Sequence, residues 1–124
     1  KLILDAKYFK SYHDIRYDGL HYTSQEINNI NVKKFQRKSK NITYSASCHN
    51  IHEINIANMM NLDFILLSPI LKNKYDINSM GWKKFQLLSE KANMPVFALG
   101  GISKNDLETC VANNGYGVSG ISNF

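Results

Sequence analysis

The sequence predicts an α/β fold built on a parallel sheet, and three observations carry that prediction. Short apolar runs bounded by Gly, Pro or polar residues recur along the chain. Helix-start patterns stand between them. The clearest run, Asp63-Phe64-Ile65-Leu66-Leu67, is apolar on both faces and follows a helical segment directly. A strand apolar on both faces must be covered on both, the condition of parallel strands joined by crossover helices. At 124 residues and 44% hydrophobic content the chain amounts to one domain, residues 1–124, with a modest core.

Taken in order, Leu2-Ile3-Leu4-Asp5 is a first strand ending in a carboxylate, and Tyr8 to His13 a helix candidate. Gly19-Leu20-His21-Tyr22-Thr23 is the second strand, with Ser24 as cap of a short turn through Ile27. Asn31 to Lys40 is polar and basic, a solvated connector. Tyr44 to Cys48 is a short strand. Asn50-Ile51-His52-Glu53 then opens a helix at capping-box spacing, with Ile51, Ile54, Ala57 and Met60 at helical intervals. After Asp63–Leu67 comes a loop, Leu71 to Met80, with no apolar period. Gly81 opens a helix through Asn93 that carries Trp82, Phe85, Leu88 and Ala92 on one face. Val96-Phe97-Ala98-Leu99 is the next strand. Ser103 and Asp106 mark another capping box, for a helix through Val111, and Gly117 to Ser122 is the last strand. Strands alternating with helices at this interval fit both a doubly wound sheet and a (β/α)8 barrel. No Gly-rich dinucleotide fingerprint follows the first strand.

Composition narrows the function classes. No apolar run approaches the roughly 18 residues of a membrane span. Cys48 and Cys110 lack metal or disulfide spacing and read as reduced thiols of a cytoplasmic protein. The net charge of +5 comes from Lys spread along the chain, with no aromatic-basic stripe, so nucleic-acid binding is not read from it. The chain opens at Lys1 inside an apolar run, which reads as a cut edge, and six strands of a barrel would leave two exposed edges prone to aggregation.

In βα folds the chemistry lies at the carboxyl ends of the strands. Gly100-Gly101-Ile102-Ser103 joins a strand to a helix start; glycines let a backbone approach an anion, and free N–H groups at a helix start favour phosphate. The same Gly-Gly pair also serves simply as a tight turn. Gly120-Ile121-Ser122 supplies the second half of a phosphate site if the last two strands are the seventh and eighth of a barrel. His49, at a strand end, has a proton affinity suited to transfer near neutrality, or is a hydrogen-bonded structural histidine. Asp5 and Glu26, after different strands, are either simple caps or joint ligands of a magnesium ion. His21 and His52 read as structural or exposed, Trp82 as core.

GLHYTS, SASCHN, DFILLSPI, MGW, VFALGGI and GVSGIS, in this order and spacing, resemble the thiamin phosphate synthase / thiazole tautomerase superfamily, most of all the synthase-like domain fused behind a Nudix hydrolase in some bacteria. The likeness runs along nearly the whole chain. It implies a TIM (β/α)8 barrel of which this chain holds strands three to eight, about six parallel strands. It further implies transfer of a pyrimidine from its pyrophosphate to a thiazole phosphate, with Mg2+ holding the leaving diphosphate. On this likeness Gly101, with Gly100, and Ser122 match the phosphate-binding positions, and Ser47 and His49 match a Ser-x-His after strand five, the histidine being the acid/base of the tautomerase branch. Glu26 falls at a magnesium-binding position. The chain departs from the pattern at Asp5, which Ala6 follows where the synthase has Asn-Asp. It departs again at Leu71–Asp76, where both threonines of the diphosphate loop are missing and Lys74 replaces the loop lysine only by a shift. A tautomerase-like isomerase, or a non-catalytic phosphate-ligand sensor attached to a Nudix enzyme, are the alternatives. The expected partners are phosphorylated thiazole and pyrimidine small molecules, with no nucleic acid or membrane, a possible fused Nudix domain and a possible oligomer.

Overall fold

The structure, a computed structural model, describes residues 1–11, 14–71 and 78–120. Six strands form one sheet: β1 (Ile3–Asp5), β2 (Gly19–Tyr22), β3 (Thr43–Cys48), β4 (Phe64–Leu67), β5 (Val96–Leu99) and β6 (Gly117–Ser119). They lie in chain order and every pairing is parallel, as expected. Four α-helices connect them: α1 (Ser24–Asn29), α2 (Ile51–Met59), α3 (Gly81–Ser89) and α4 (Leu107–Ala112).

Two helix starts differ from expectation. Thr23, not Ser24, caps α1: its hydroxyl accepts from the Glu26 N–H and the Glu26 carboxylate accepts from the Thr23 N–H, a full capping box. In α2 the Asn50 side chain caps the Glu53 N–H at 3.0 Å, but Ile51 is left 42% exposed while Glu53 is only 3% exposed. The inward stripe is therefore Glu53, Ile54, Ala57 and Met60, with a carboxylate in place of an isoleucine. The segment after β1 is a 3-10 helix, Ala6–Ser11, and α3 stops at Ser89, four residues short of the expected Asn93. On α3, Phe85 is fully buried and Trp82 and Leu88 pack on the core, as the helical spacing requires; Ala92, past the helix end, packs there too.

Strand side chains alternate between faces, and in a parallel pair partners in register share a face. One face carries Leu20, Tyr44, Ala46, Cys48, Ile65, Leu67, Val96 and Ala98, all buried, against Ile27, Ile54, Ala57, Phe85 and Cys110 of the four helices. Each large aliphatic or aromatic side chain so buried contributes on the order of 1.5–3 kcal/mol. The other face carries Asp5, His21, Ser45, Ser47, Phe64, Leu66, Phe97 and Leu99. Most of these are only half-buried, and Phe64 and Phe97 meet edge to face at 5.5 Å.

The segment expected as a solvated connector is pinned to the sheet. Phe35 stacks edge-on between Tyr22 and Tyr44. Arg37 makes a two-pronged bond to Asp63 (Nη1–Oδ1 3.1 Å, Nη2–Oδ2 2.8 Å) and also donates to the carbonyls of Asn61 and Ile42. Asp63 in turn accepts the Tyr44 N–H at 2.7 Å. One ion pair thus joins the connector to the entry ends of β3 and β4. A basic run read only as charge hides the one guanidinium whose planar fork fits a carboxylate.

Burial alone would raise the Asp63 proton affinity, but the Arg37 and Tyr44 donors outweigh it and hold the carboxyl below its usual range. A depressed folded value stabilises the fold above the unfolded carboxylate pKa, about 4, and that contribution is lost as pH falls through the folded value. Asp63→Asn is expected to cost about 1–2 kcal/mol at pH 7, the pair being partly solvent-screened. Urea unfolding of both proteins should show the difference shrinking below about pH 4.

Candidate active site

The carboxyl ends of β1, β2 and β3 bring a polar group together. Asp5, His21 and Ser45 are level across the three strands. His21 lies between two serines of β3: Nδ1 is 2.9 Å from Ser45 Oγ and Nε2 is 2.9 Å from Ser47 Oγ. A hydroxyl can donate to one ring nitrogen and accept from the other, so the pair suits a neutral imidazole. Burial lowers the His21 proton affinity, and the nearby Asp5 and Glu26 carboxylates only partly restore it. His21, expected as structural or exposed, is thus a half-buried, hydrogen-bonded histidine that joins β2 to β3. The signal was present as the period-two Ser45-Ala46-Ser47, a polar row on one face of a strand, beside a histidine in the preceding strand. Ser47, expected with His49 as a Ser-x-His unit, pairs with His21 instead.

His49 stands past β3 with its side chain 44% exposed. Its N–H donates to Glu53 Oε2 at 2.6 Å, and its Nδ1 lies 3.3 Å from the same oxygen. The other Glu53 oxygen accepts from Ser24 Oγ and, at 2.8 Å, from Asn28 Nδ2. Burial pushes the Glu53 carboxyl up, yet the Ser24, Asn28 and His49 donors together bring it below its ordinary value. Helix-start spacing marked Glu53 only as a cap; its bond reaches past the N-cap to His49.

Of the two expected magnesium ligands, Glu26 uses Oε2 for the Thr23 N–H and hydroxyl, at 2.7 and 2.9 Å, which leaves Oε1 to a ligand. Asp5 accepts the Lys7 N–H at 3.2 Å and lies 3.6 Å from the Lys7 ammonium, a loose pair. Both are close enough to raise the proton affinity of His21. As hard oxygen donors, both are of the type magnesium takes, one or two carboxylates beside phosphate. Among the described residues no three His, Cys, Asp or Glu side chains converge as a ready cage.

At the far side of the sheet Gly100 (φ +97°) and Gly101 (φ +69°) turn the chain out of β5. A Cβ on Gly101 would sit 2.5 Å from the Leu71 carbonyl oxygen. The Ile70 and Leu71 N–H groups donate to Leu99 and Gly100, so the turn is zipped to the segment after β4. Leu99 is level with Ser119 of β6. Ser122 and Lys74 lie outside the described residues. Ser103 and Asp106 form the expected capping box, at the head of a 3-10 turn (Lys104–Asp106) that leads into α4. Cys48 and Cys110 are free and buried, and burial lifts Cys48 to about 12.

Six parallel strands in chain order, with helices packed on one face and polar side chains on the other, define a segment of the βα-barrel fold class. Comparison with known proteins sharpens this. The family model for thiamine monophosphate synthase matches residues 2–124, and the chain belongs to that family. The "Putative thiamine-phosphate synthase 2" of Aquifex aeolicus is 37% identical over 109 residues, 86% of this chain and 57% of the relative. The thiamine-phosphate synthase of Methanococcus vannielii is 27% identical, over 87% of this chain and 50% of its own. Thiamine phosphate pyrophosphorylase from Pyrococcus furiosus superposes with a TM-score of 0.65 at 18% identity, over 85% of this chain and 49% of that one. That likeness supports the expected barrel-type fold. The chain spans about half the length of these relatives. Among the described residues no helix is long and apolar enough to cross a membrane.

Two outcomes test the site's construction. Gly101→Ala should cost more than about 1 kcal/mol, because a left-handed φ and a backbone clash both oppose the methyl group; thermal unfolding checks it. Cys48 should resist iodoacetamide at pH 8 in the folded protein and react fully in urea, as mass spectrometry of the labelled peptide would show.

Proposed function

We propose that this chain forms the catalytic half of a thiamin phosphate synthase-like transferase, which joins hydroxymethylpyrimidine pyrophosphate to thiazole phosphate. The observation that carries this reading is Asp5, His21 and Ser47 toward the carboxyl ends of adjacent strands, with Ser45 buried beneath His21 and Glu26 beside it. Loss of diphosphate leaves a cationic pyrimidine, so the reaction needs positioning and charge stabilisation more than a covalent partner. In this reading the Ser47 hydroxyl, held 2.9 Å from His21 Nε2, would donate to a diphosphate or pyrimidine acceptor when that ring nitrogen carries the proton. Asp5 and Glu26 would hold magnesium, which supplies positive charge to the departing diphosphate. Gly100, Gly101, Ser122 and Lys74 take the phosphate roles, with backbone N–H groups for the thiazole phosphate. In the same reading the remaining barrel strands come from the rest of the protein, which works in the cytoplasm, carries a fused Nudix domain and is free to assemble as an oligomer.

A second reading is favoured by one observation. His49 is exposed and backed by a buried carboxylate, the arrangement of an acid/base. This supports a thiazole tautomerase-like isomerase, which needs no magnesium.

Calorimetric titration of the full parent protein with thiamin phosphate and with thiazole phosphate separates these readings. The transferase predicts binding strengthened about tenfold or more, some 1.4 kcal/mol, when magnesium and diphosphate are added. Asp5→Asn and Glu26→Gln should abolish that gain. Magnesium-independent binding of the thiazole alone, with proton exchange that stops in His49→Ala, would give the tautomerase. Binding without turnover would leave a ligand sensor, and no binding at all would overturn each of these.

A further inference from the structure

Ser45 and Ser47 share one face of β3 in unequal surroundings. Ser45 is fully buried and Ser47 half-buried, and His21 of β2 bridges them, each ring nitrogen 2.9 Å from a hydroxyl oxygen. Among the described residues, His21 Nδ1 is the one hydrogen-bond partner of Ser45 Oγ. The direction of both bonds therefore follows from where the Ser45 proton goes. A buried hydroxyl proton without an acceptor costs the desolvation of that donor, whereas an idle lone pair costs less.

The ring has three protonation states, and they treat that proton differently. With the proton on Nδ1 the ring donates to Ser45, and the Ser45 O–H is left with no acceptor. A charged ring donates to both hydroxyls and strands the same proton. With the proton on Nε2, Ser45 donates to Nδ1 and Nε2–H donates to Ser47, so every buried donor is used. Ser47, the half-buried member, then keeps its own O–H for water or a ligand. Burial also favours the neutral ring, and Asp5 and Glu26 act on it through their charge alone.

We infer that His21 is a positioning residue: Ser45 fixes it as the neutral Nε2–H tautomer, Ser47 Oγ accepts that N–H, and the Ser47 O–H is thereby freed to donate at the strand ends. The use of that donor on a ligand rests on the proposed function above; the tautomer and the direction of the two bonds do not.

Long-range 1H–15N NMR of the parent protein at alkaline pH, where the imidazoles are neutral, reads the tautomer without any ligand. The His21 signals are identified by their loss in His21→Gln. The expected result is a ring protonated on Nε2, with an unprotonated Nδ1 whose 15N signal moves downfield in Ser45→Ala as its hydrogen bond is lost. A native His21 protonated on Nδ1 overturns the inference, and needs no variant to show it. An unmoved Nδ1 signal in a folded Ser45→Ala overturns it equally. If both signals behave as expected but neither thiazole phosphate nor thiamin phosphate binds, the positioning stands and the proposed chemistry falls.

Discussion

Parallel register is the constraint on which the rest of this structure depends. Because side chains alternate strictly along a strand, a shift of one residue between β2 and β3 would move every inward group to the other face. The register His21 to Ser45 and Leu20 to Tyr44 keeps the two sets apart. It places Leu20, Tyr44, Ala46 and Cys48 under helices and His21, Ser45 and Ser47 on the open face. The serine-histidine contacts follow from this alone: a histidine level with Ser45 has Ser47 as its next neighbour along the same face. Packing enforces the register, because the buried set includes Tyr44, whose ring fits between Phe35 and the Arg37 guanidinium.

The same pairing explains why the entry ends of the strands are rigid and their exit ends polar. At the entry side Arg37, Asp63 and the Tyr44 backbone close a network of charge-assisted bonds, and the Lys38 N–H donates to the Tyr44 hydroxyl. Asp63 N–H and carboxylate both engage Tyr44, so β4 enters the sheet at a fixed level relative to β3. The exit side is left to residues whose partners are incomplete: Asp5 with a loose lysine, Glu26 with one oxygen used, and His49 half-exposed. The closed bonding network lies where the chain enters the sheet, and the side chains with spare bonding capacity lie where it leaves.

Much of this was legible in the sequence. The apolar runs gave the strands, since a segment such as Phe64–Leu67 has no solvated face to offer, and Asn50 with Glu53 and Ser103 with Asp106 marked helix starts. The illegible parts share a cause: they depend on which residues become neighbours across strands. Arg37 looked like one charge in a basic run until the fold set it 2.8 Å from Asp63. His21 looked isolated because its partners are 24 and 26 residues away. Ile51 fitted the helical period as well as Glu53 did, and only the donors on α1 decided which of them turned inward.

Three carboxylates of the site region show how donor count separates role from role. Glu53 has both oxygens bonded and is buried, so it has nothing left for a ligand and acts on its neighbours instead. Glu26 has one oxygen committed to the start of α1 and is half-buried, which aligns the carboxylate while leaving the other oxygen to coordinate. Asp5 is held by a single backbone bond and a 3.6 Å ion pair, the loosest of the three. Glu26 and Asp5 therefore keep acceptor capacity beside His21, while Glu53 is spent on joining the helix that carries Glu26 to the loop that carries His49.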